Sequence, residues 1–142
     1  MPETGILLDT HVWIWMVEGD RSRLGRKAAQ SIERASRRAG VLVSAISVWE
    51  VALLEARGRI RLAHRIEDWV ARALRAPGVR LVDLTPEIAL ESGRLSGSAA
   101  GDLADWILLA SARSLGARLA TCDERLLAFG AAGHVGVVDG RA

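Results

Sequence analysis

The stretch Gly5-Ile6-Leu7-Leu8-Asp9-Thr10-His11-Val12-Trp13 decides how the rest of the chain is read. Gly5 to Leu8 is a short apolar run that ends on an acid, as a strand buried on both faces does, and Thr10 then has the chemistry to cap a helix over 11–17. The same alternation continues outward. Residues 24–38 read as a helix with Leu24, Ala28, Ile32 and Ala35 on one side, stopped by Gly40, and Val41-Leu42-Val43 reads as a second strand. Ser44 or Ser47 caps a third helix to about residue 57. Residues 66–76 form an amphipathic helix with Trp69, Val70, Ala73 and Leu74 inward, ended by Pro77-Gly78. Residues 80–84 alternate like a strand, and Thr85-Pro86-Glu87 carries a cap, a first-turn proline and an acid. Asp102 opens a helix to Ser114 with Gly116 at its exit. A strand follows at Leu119-Ala120-Thr121, then a helical turn over 125–129 and a last strand over 135–138. Short strands separated by helices predict an α/β fold with a mostly parallel sheet covered by helices on both faces.

Composition bounds what such a chain does. At 142 residues, 50% apolar and 25% charged, residues 1–142 are expected to form a single domain. With Gly at 14 and Pro at 3, collagen-like and disordered chains are excluded. The apolar run 12–17 is far shorter than the roughly 20 residues of a membrane span, and no secretory leader opens the chain, so a cytoplasmic protein without membrane contact is expected. Cys122 is the single cysteine, which excludes an internal disulfide and a cysteine zinc cage.

The net charge of +2 conceals an asymmetry. Residues 1–20 carry four acids and no cation, whereas residues 21–65 carry 11 basic side chains against Glu33, Glu50 and Glu55. Lys27 is the only lysine; arginine suits bidentate contact with phosphate, so this block is a candidate for holding a nucleic-acid backbone, unless it is merely a solvated face.

In open α/β sheets ligands collect beyond the carboxyl ends of the strands. Asp9 follows the first predicted strand and Asp123 a later one. Glu50 lies early in the helix after the second strand, within Val48-Trp49-Glu50-Val51, and Asp105 lies in the first turn of the helix opened by Asp102. Each acid has a plain alternative: Asp9 and Asp123 can cap helices, Glu50 can be solvated, and Asp102-x-x-Asp105 has capping-box spacing. Assigning the cap to Asp102 leaves Asp105 facing the other acids. Four converging carboxylates repel one another unless a cation joins them, and an all-oxygen set without His or Cys suits Mg²⁺ or Mn²⁺.

Five stretches together carry a resemblance: residues 7–13 (Leu-Leu-Asp-Thr-His-Val-Trp), 43–52 (Val-Ser-Ala-Ile-Ser-Val-Trp-Glu-Val-Ala), 84–89 (Leu-Thr-Pro-Glu-Ile-Ala), 101–105 (Gly-Asp-Leu-Ala-Asp) and 120–126 (Ala-Thr-Cys-Asp-Glu-Arg-Leu). In this order they resemble the PIN-domain ribonuclease toxins of VapBC-type toxin–antitoxin pairs, over nearly the whole chain. The resemblance implies a PIN-like fold and a metal-dependent endoribonuclease acting on tRNA or rRNA. Its catalytic acids fall on Asp9, Glu50, Asp105 and Asp123, with the metal on Asp9, Asp105 and Asp123 and Glu50 orienting or deprotonating water. Thr10, Ser47 and Thr121 match supporting polar positions, beside the capping Asp102. Implied further are 5′-phosphate and 3′-hydroxyl products, a homodimer, a VapB-like antitoxin that alone binds DNA, and a heterotetramer or larger complex with it. Two positions depart from the family: Leu103 stands where proline is usual and Trp106 where arginine is common.

Other signals are weaker. His11, His64 and His134 are scattered, and His11 is expected to be a helix-start residue rather than a base. Cys122 is expected to be a small buried side chain. The helix of Val12, Trp13, Ile14, Trp15 and Met16 has no polar face, so part of it is expected to meet another chain. A dehalogenase-type phosphatase needs a second acid where His11 stands, and a receiver domain needs a late lysine. A non-catalytic binding module of the same fold is the remaining rival, disfavoured by the complete acid set.

Overall fold

The computed structural model describes residues 5–97 and 101–142. Five strands form one sheet: β1 (Ile6–Leu8), β2 (Val41–Ser44), β3 (Val79–Val82), β4 (Arg118–Thr121) and β5 (Val137–Asp139), in the order β3-β2-β1-β4-β5 and parallel throughout. The helices between them are α1 (Thr10–Glu18), α2 (Arg26–Ser36), α3 (Ala45–Ala56), α4 (Ile66–Leu74), α5 (Pro86–Leu95), α6 (Leu103–Leu115) and α7 (Glu124–Ala131).

Strand side chains alternate between faces with period two, and the two cores follow from that. Ile6, Leu8, Val41, Val43, Ala120 and Val138 face one way and pack under α1, α2 and α4. Leu7 and Leu119 face the other way, with Leu108, Leu109 and Ile88 of α6 and α5 and Leu126 of α7. Right-handed crossovers place the helices of the β1-β2-β3 half on the first face and those leading to β4 and β5 on the second. The strand order reverses beside β1, so the crevice at its carboxyl end lies between β1 and β4.

Several local expectations change. Asp9, not Thr10, is the N-cap of α1: it is extended and accepts from Thr10 N at 2.7 Å, while Thr10 is already helical and buried. Ser44 rather than Ser47 caps α3, accepting from Ile46 N at 3.1 Å. The apolar helix α1 is spent mostly on its own core. Val12 and Trp13 are 1% exposed and Ile14 is buried, while Trp13 meets Trp69 edge-on at 5.0 Å. With α1 inside a ring of sheet and helices, only Val17 of the run 12–17 remains among the exposed large hydrophobics. What is left for a partner on α1 is its C-terminal part, where Trp15 and Met16 are half-buried and Val17 is exposed. Glu50, expected among buried neighbours, sits instead beside an exposed Trp49.

The basic block also fails to form one face. Arg37 and Arg38 follow α2 and precede β2, which puts them at the amino ends of the strands, opposite the acids. Arg21 is paired with Glu33 at 2.9 Å.

The turn before β3 contains one position that only glycine fills. Gly78 has φ 82 and its carbonyl accepts from Val41 N, and a Cβ there would stand 2.0 Å from the Ser36 carbonyl oxygen. Gly78→Ala is expected to lower the melting temperature by roughly 5 °C or more, through left-handed strain and displacement of α2 from β3. Calorimetry showing an unchanged transition would remove that constraint.

Candidate active site

The acids meet over the β1–β4 crevice, held by buried hydroxyls beneath them. Asp9 N–H bonds the Ala120 carbonyl at 2.9 Å, which continues the β1–β4 ladder and fixes the acid at the strand end. Its Oδ1 caps α1, and its Oδ2 accepts from Thr121 Oγ1 at 2.7 Å. Thr121 Oγ1 in turn accepts from Asp123 N at 3.0 Å, so one hydroxyl ties the two strand-end acids together. On the other side, Thr10 Oγ1 lies 2.9 Å from Ser47 Oγ and donates to Glu50 Oε1. Thr10, Ser47 and Thr121 are fully buried, each with a hydrogen-bond partner.

Asp102 and Asp105 form a reciprocal capping box at the start of α6: Asp105 N donates to Asp102 Oδ1 and Asp102 N donates to Asp105 Oδ2, both at 3.1 Å. The division expected from spacing, with Asp102 the cap and Asp105 free, is thus incomplete, because Asp105 does both. Asp123 likewise caps α7, accepting from Arg125 N at 2.8 Å. Three of the four acids therefore sit at helix N-termini, whose partial positive charge offsets some of their mutual repulsion.

Glu50 is different. It lies in the second turn of α3, away from any helix end, half-buried in an apolar helix, and it accepts a hydrogen bond from Thr10. Capping does not explain it.

The electrostatics show a strained group of charges. Burial pushes the Asp9 carboxyl up, against the pull of its bonds from Thr121 and Thr10. Burial also raises Glu50, opposed by the Thr10 hydroxyl and reinforced by Asp9 and Asp102. Asp105 is pushed up to about 7, first by burial and further by Asp102, Asp9 and Asp123. Asp123 moves the other way, because the Arg125 guanidinium holds it below its ordinary value.

Arg125 was not singled out by the sequence as a site residue. It forks onto Asp123 (Nε to Oδ1 at 3.3 Å, Nη2 to Oδ2 at 2.9 Å) and reaches Asp105 Oδ2 at 3.3 Å. The available signal was its place two residues after a strand-end aspartate at a helix start, which folds the side chain back onto the cap. With this fork in place, no three Asp, Glu, His or Cys side chains among the described residues stand together as a ready metal cage. Trp106 is half-buried against the second core, so the departure from arginine at that position turns it into a packing residue.

The parallel five-stranded sheet with its covering helices is a PIN-like α/β fold, and the chain is similar to known proteins of that fold. The family model for the PIN domain matches residues 6–132, and the chain belongs to that family. Within it the chain is VapC-like: it is 40% identical over 123 residues to "Ribonuclease VapC22" of Mycobacterium tuberculosis, covering 87% of this chain and 90% of the relative. Among solved structures, a toxin–antitoxin complex from Klebsiella pneumoniae matches with a TM-score of 0.64 at 22% identity, over 96% of this chain and 98% of its own. VapBC2 from Rickettsia felis, bound to a promoter DNA fragment, matches at 0.65 and 13% identity over 94% and 97%. At such identities these two show the fold. Among the described residues no helix is long and apolar enough to cross a membrane.

Proposed function

We propose that the chain, acting as one domain over residues 1–142, is a cytoplasmic endoribonuclease toxin that hydrolyses phosphodiester bonds in tRNA or rRNA and is silenced by a small VapB-like antitoxin. The observation that carries this reading is Glu50. A half-buried carboxylate in mid-helix costs stability, and a single hydrogen bond from Thr10, which a neutral side chain could equally accept, does not call for its charge, whereas a hydrolase needs a base there.

The donor set fits a hard divalent ion, Mg²⁺ or Mn²⁺, because Asp9, Asp105 and Asp123 offer only oxygen, and burial and crowding hold Asp9 and Asp105 up, a cost of ionisation that a bound cation relieves. Such an ion would supply countercharge for the scissile phosphate and acidify water. Glu50, its proton affinity raised by burial, accepts the proton of the attacking water. Thr10 and Ser47 keep the Glu50 carboxylate in one orientation, and Thr121 does the same for Asp9. Attack by water, rather than by the ribose 2′-hydroxyl, leaves a 5′-phosphate and a 3′-hydroxyl.

That fold neighbours were solved as a toxin–antitoxin complex and as a VapBC complex on promoter DNA supports an antitoxin partner; the family resemblance extends this to a toxin homodimer, a heterotetramer or larger assembly with the antitoxin, and DNA bound only through the antitoxin. The apolar surface for it includes Val17 at the end of α1 and a second patch nearer the acids. Trp49 and Leu103 are 51% and 55% exposed and adjoin Glu50 and Asp102 in the chain, so a covering amphipathic segment is positioned to send an arginine onto the acids.

Induced expression is expected to arrest growth and to generate new RNA ends bearing 5′-phosphates. Co-expression of the adjacent small open reading frame is expected to restore growth and yield a co-purifying complex. Harmless induction, with no metal-dependent cleavage and no captured partner, would replace this reading by the binding-module one.

A further inference from the structure

Arg125 does more than cap its own turn. An Asp-x-Arg fork is a local habit of this chain: Arg141 grips Asp139 in the same way, with Nε to Oδ1 at 3.0 Å and Nη2 to Oδ2 at 2.9 Å. What separates Arg125 is the second carboxylate, Asp105, which comes from another helix and is reached by the same Nη2 that holds Asp123. The guanidinium thus occupies both oxygens of Asp123 and one of Asp105, the lone pairs that a divalent ion would need. Its side chain is 53% exposed, so it can swing out without opening the core.

We propose that Arg125 is a resident counter-cation: it keeps Asp105 and Asp123 paired in the metal-free protein, yields them to an incoming divalent ion, and then stands at the rim as a contact for the substrate phosphate. This rests on the metal site of Asp9, Asp105 and Asp123 proposed above. On those oxygens the guanidinium competes with a divalent ion, and beside a bound ion it raises the cost of binding by like-charge repulsion. Released, it offers the planar fork that suits phosphate. It is a positioning residue in the first state and a substrate contact in the second.

Mn²⁺ alone, titrated into the purified full chain and followed by the electron paramagnetic resonance of the free ion, tests this without any catalytic assay. Arg125→Gln is expected to bind Mn²⁺ about tenfold more tightly than wild type. Arg125→Lys, which keeps the charge and loses the fork, is expected to fall between them. Arg141→Gln removes the matching fork at Asp139 and is expected to bind as wild type does. Equal or weaker binding by Arg125→Gln overturns the proposal while leaving the metal site standing. No binding by any of the proteins overturns the metal site itself. With metal saturating, Arg125→Gln is expected to raise KM for RNA more than it lowers kcat; an unchanged KM removes the phosphate contact.

Discussion

Asp9→Asn is expected to fold normally and to cleave RNA at least ~10³-fold more slowly than wild type, the scale on which removal of a single charge-stabilising group acts. The substitution is nearly silent for the fold. Asparagine keeps an oxygen to cap α1 through Thr10 N, and its amide group can face the Thr121 hydroxyl that now donates to Oδ2. Burial already disfavours the charge on Asp9, so the neutral amide is expected to melt at the wild-type temperature or slightly above it. What is lost is the anionic oxygen at the end of β1. Cleavage measured with Mg²⁺ or Mn²⁺, by mapping 5′-phosphate ends, checks the loss, and circular dichroism checks the fold. A fully active Asp9→Asn protein would take Asp9 out of the site.

The second large effect concerns Asp105, whose proton equilibrium gives stability an unusual pH dependence. Its carboxyl sits at about 7 in the folded protein against an ordinary 3.8, so between those values the folded state holds a proton that the unfolded chain has released. The sign follows: Asp105 makes stability fall as pH rises from about 4 to about 7, and its full penalty is present above about 7. A divalent ion relieves that penalty. At tenfold excess over its Kd, binding to the native state alone contributes about 1.4 kcal/mol, a rise of roughly 3–6 °C for a domain of this size. The rise is expected to be larger at pH 8 than at pH 5, where the ion must displace a proton.

Asp105→Asn separates this effect from every other titration in the protein. The amide oxygen still accepts from Asp102 N, so the capping box survives in part. The variant is expected to melt above wild type at pH 8 without metal, to match it more closely at pH 5, and to respond weakly to Mn²⁺. Differential scanning calorimetry at both pH values, with and without millimolar ion, reads all three. A wild-type transition indifferent to Mn²⁺ at pH 8 would count against a clustered site, and a variant less stable than wild type would show that the Asp105 charge is structural.

How far these outcomes could be foreseen from the chain differs by residue. The strands at β1, β2 and β4 are legible because short apolar runs bounded by acids, serines and glycines fit little besides a buried parallel sheet. The N-terminus of α5 is legible because Thr85 and Pro86 suit only a cap and the first turn, and Thr85 does accept from Ile88 N at 3.2 Å. Asp9 and Asp123 could be named because strand-end positions in an α/β sheet converge whatever the intervening sequence, and Glu50 and Asp105 because they lie early in helices expected to start at that same edge.

Other features depend on packing between distant segments and leave little local trace. Whether Thr10 or Asp9 caps α1 turns on which side chain is buried, and Thr10 is drawn inward by Ser47 and Glu50 from α3. The apolar helix α1 looks like an interface along its whole length in one dimension, yet Val12, Trp13 and Ile14 are buried by segments brought from far along the chain, including Trp69 from α4, and only its C-terminal part stays accessible. The Arg-rich block is contiguous in sequence, but a helix that returns from the carboxyl to the amino ends of the strands divides it between opposite ends of the sheet. Arg125 belongs with these. Its contact with Asp123 is local and follows from spacing, while its contact with Asp105 exists only because α6 and α7 begin side by side over the same crevice. Local chemistry is written in neighbouring residues; which charges face each other across the crevice is set by the sheet order that brings β1 and β4 together.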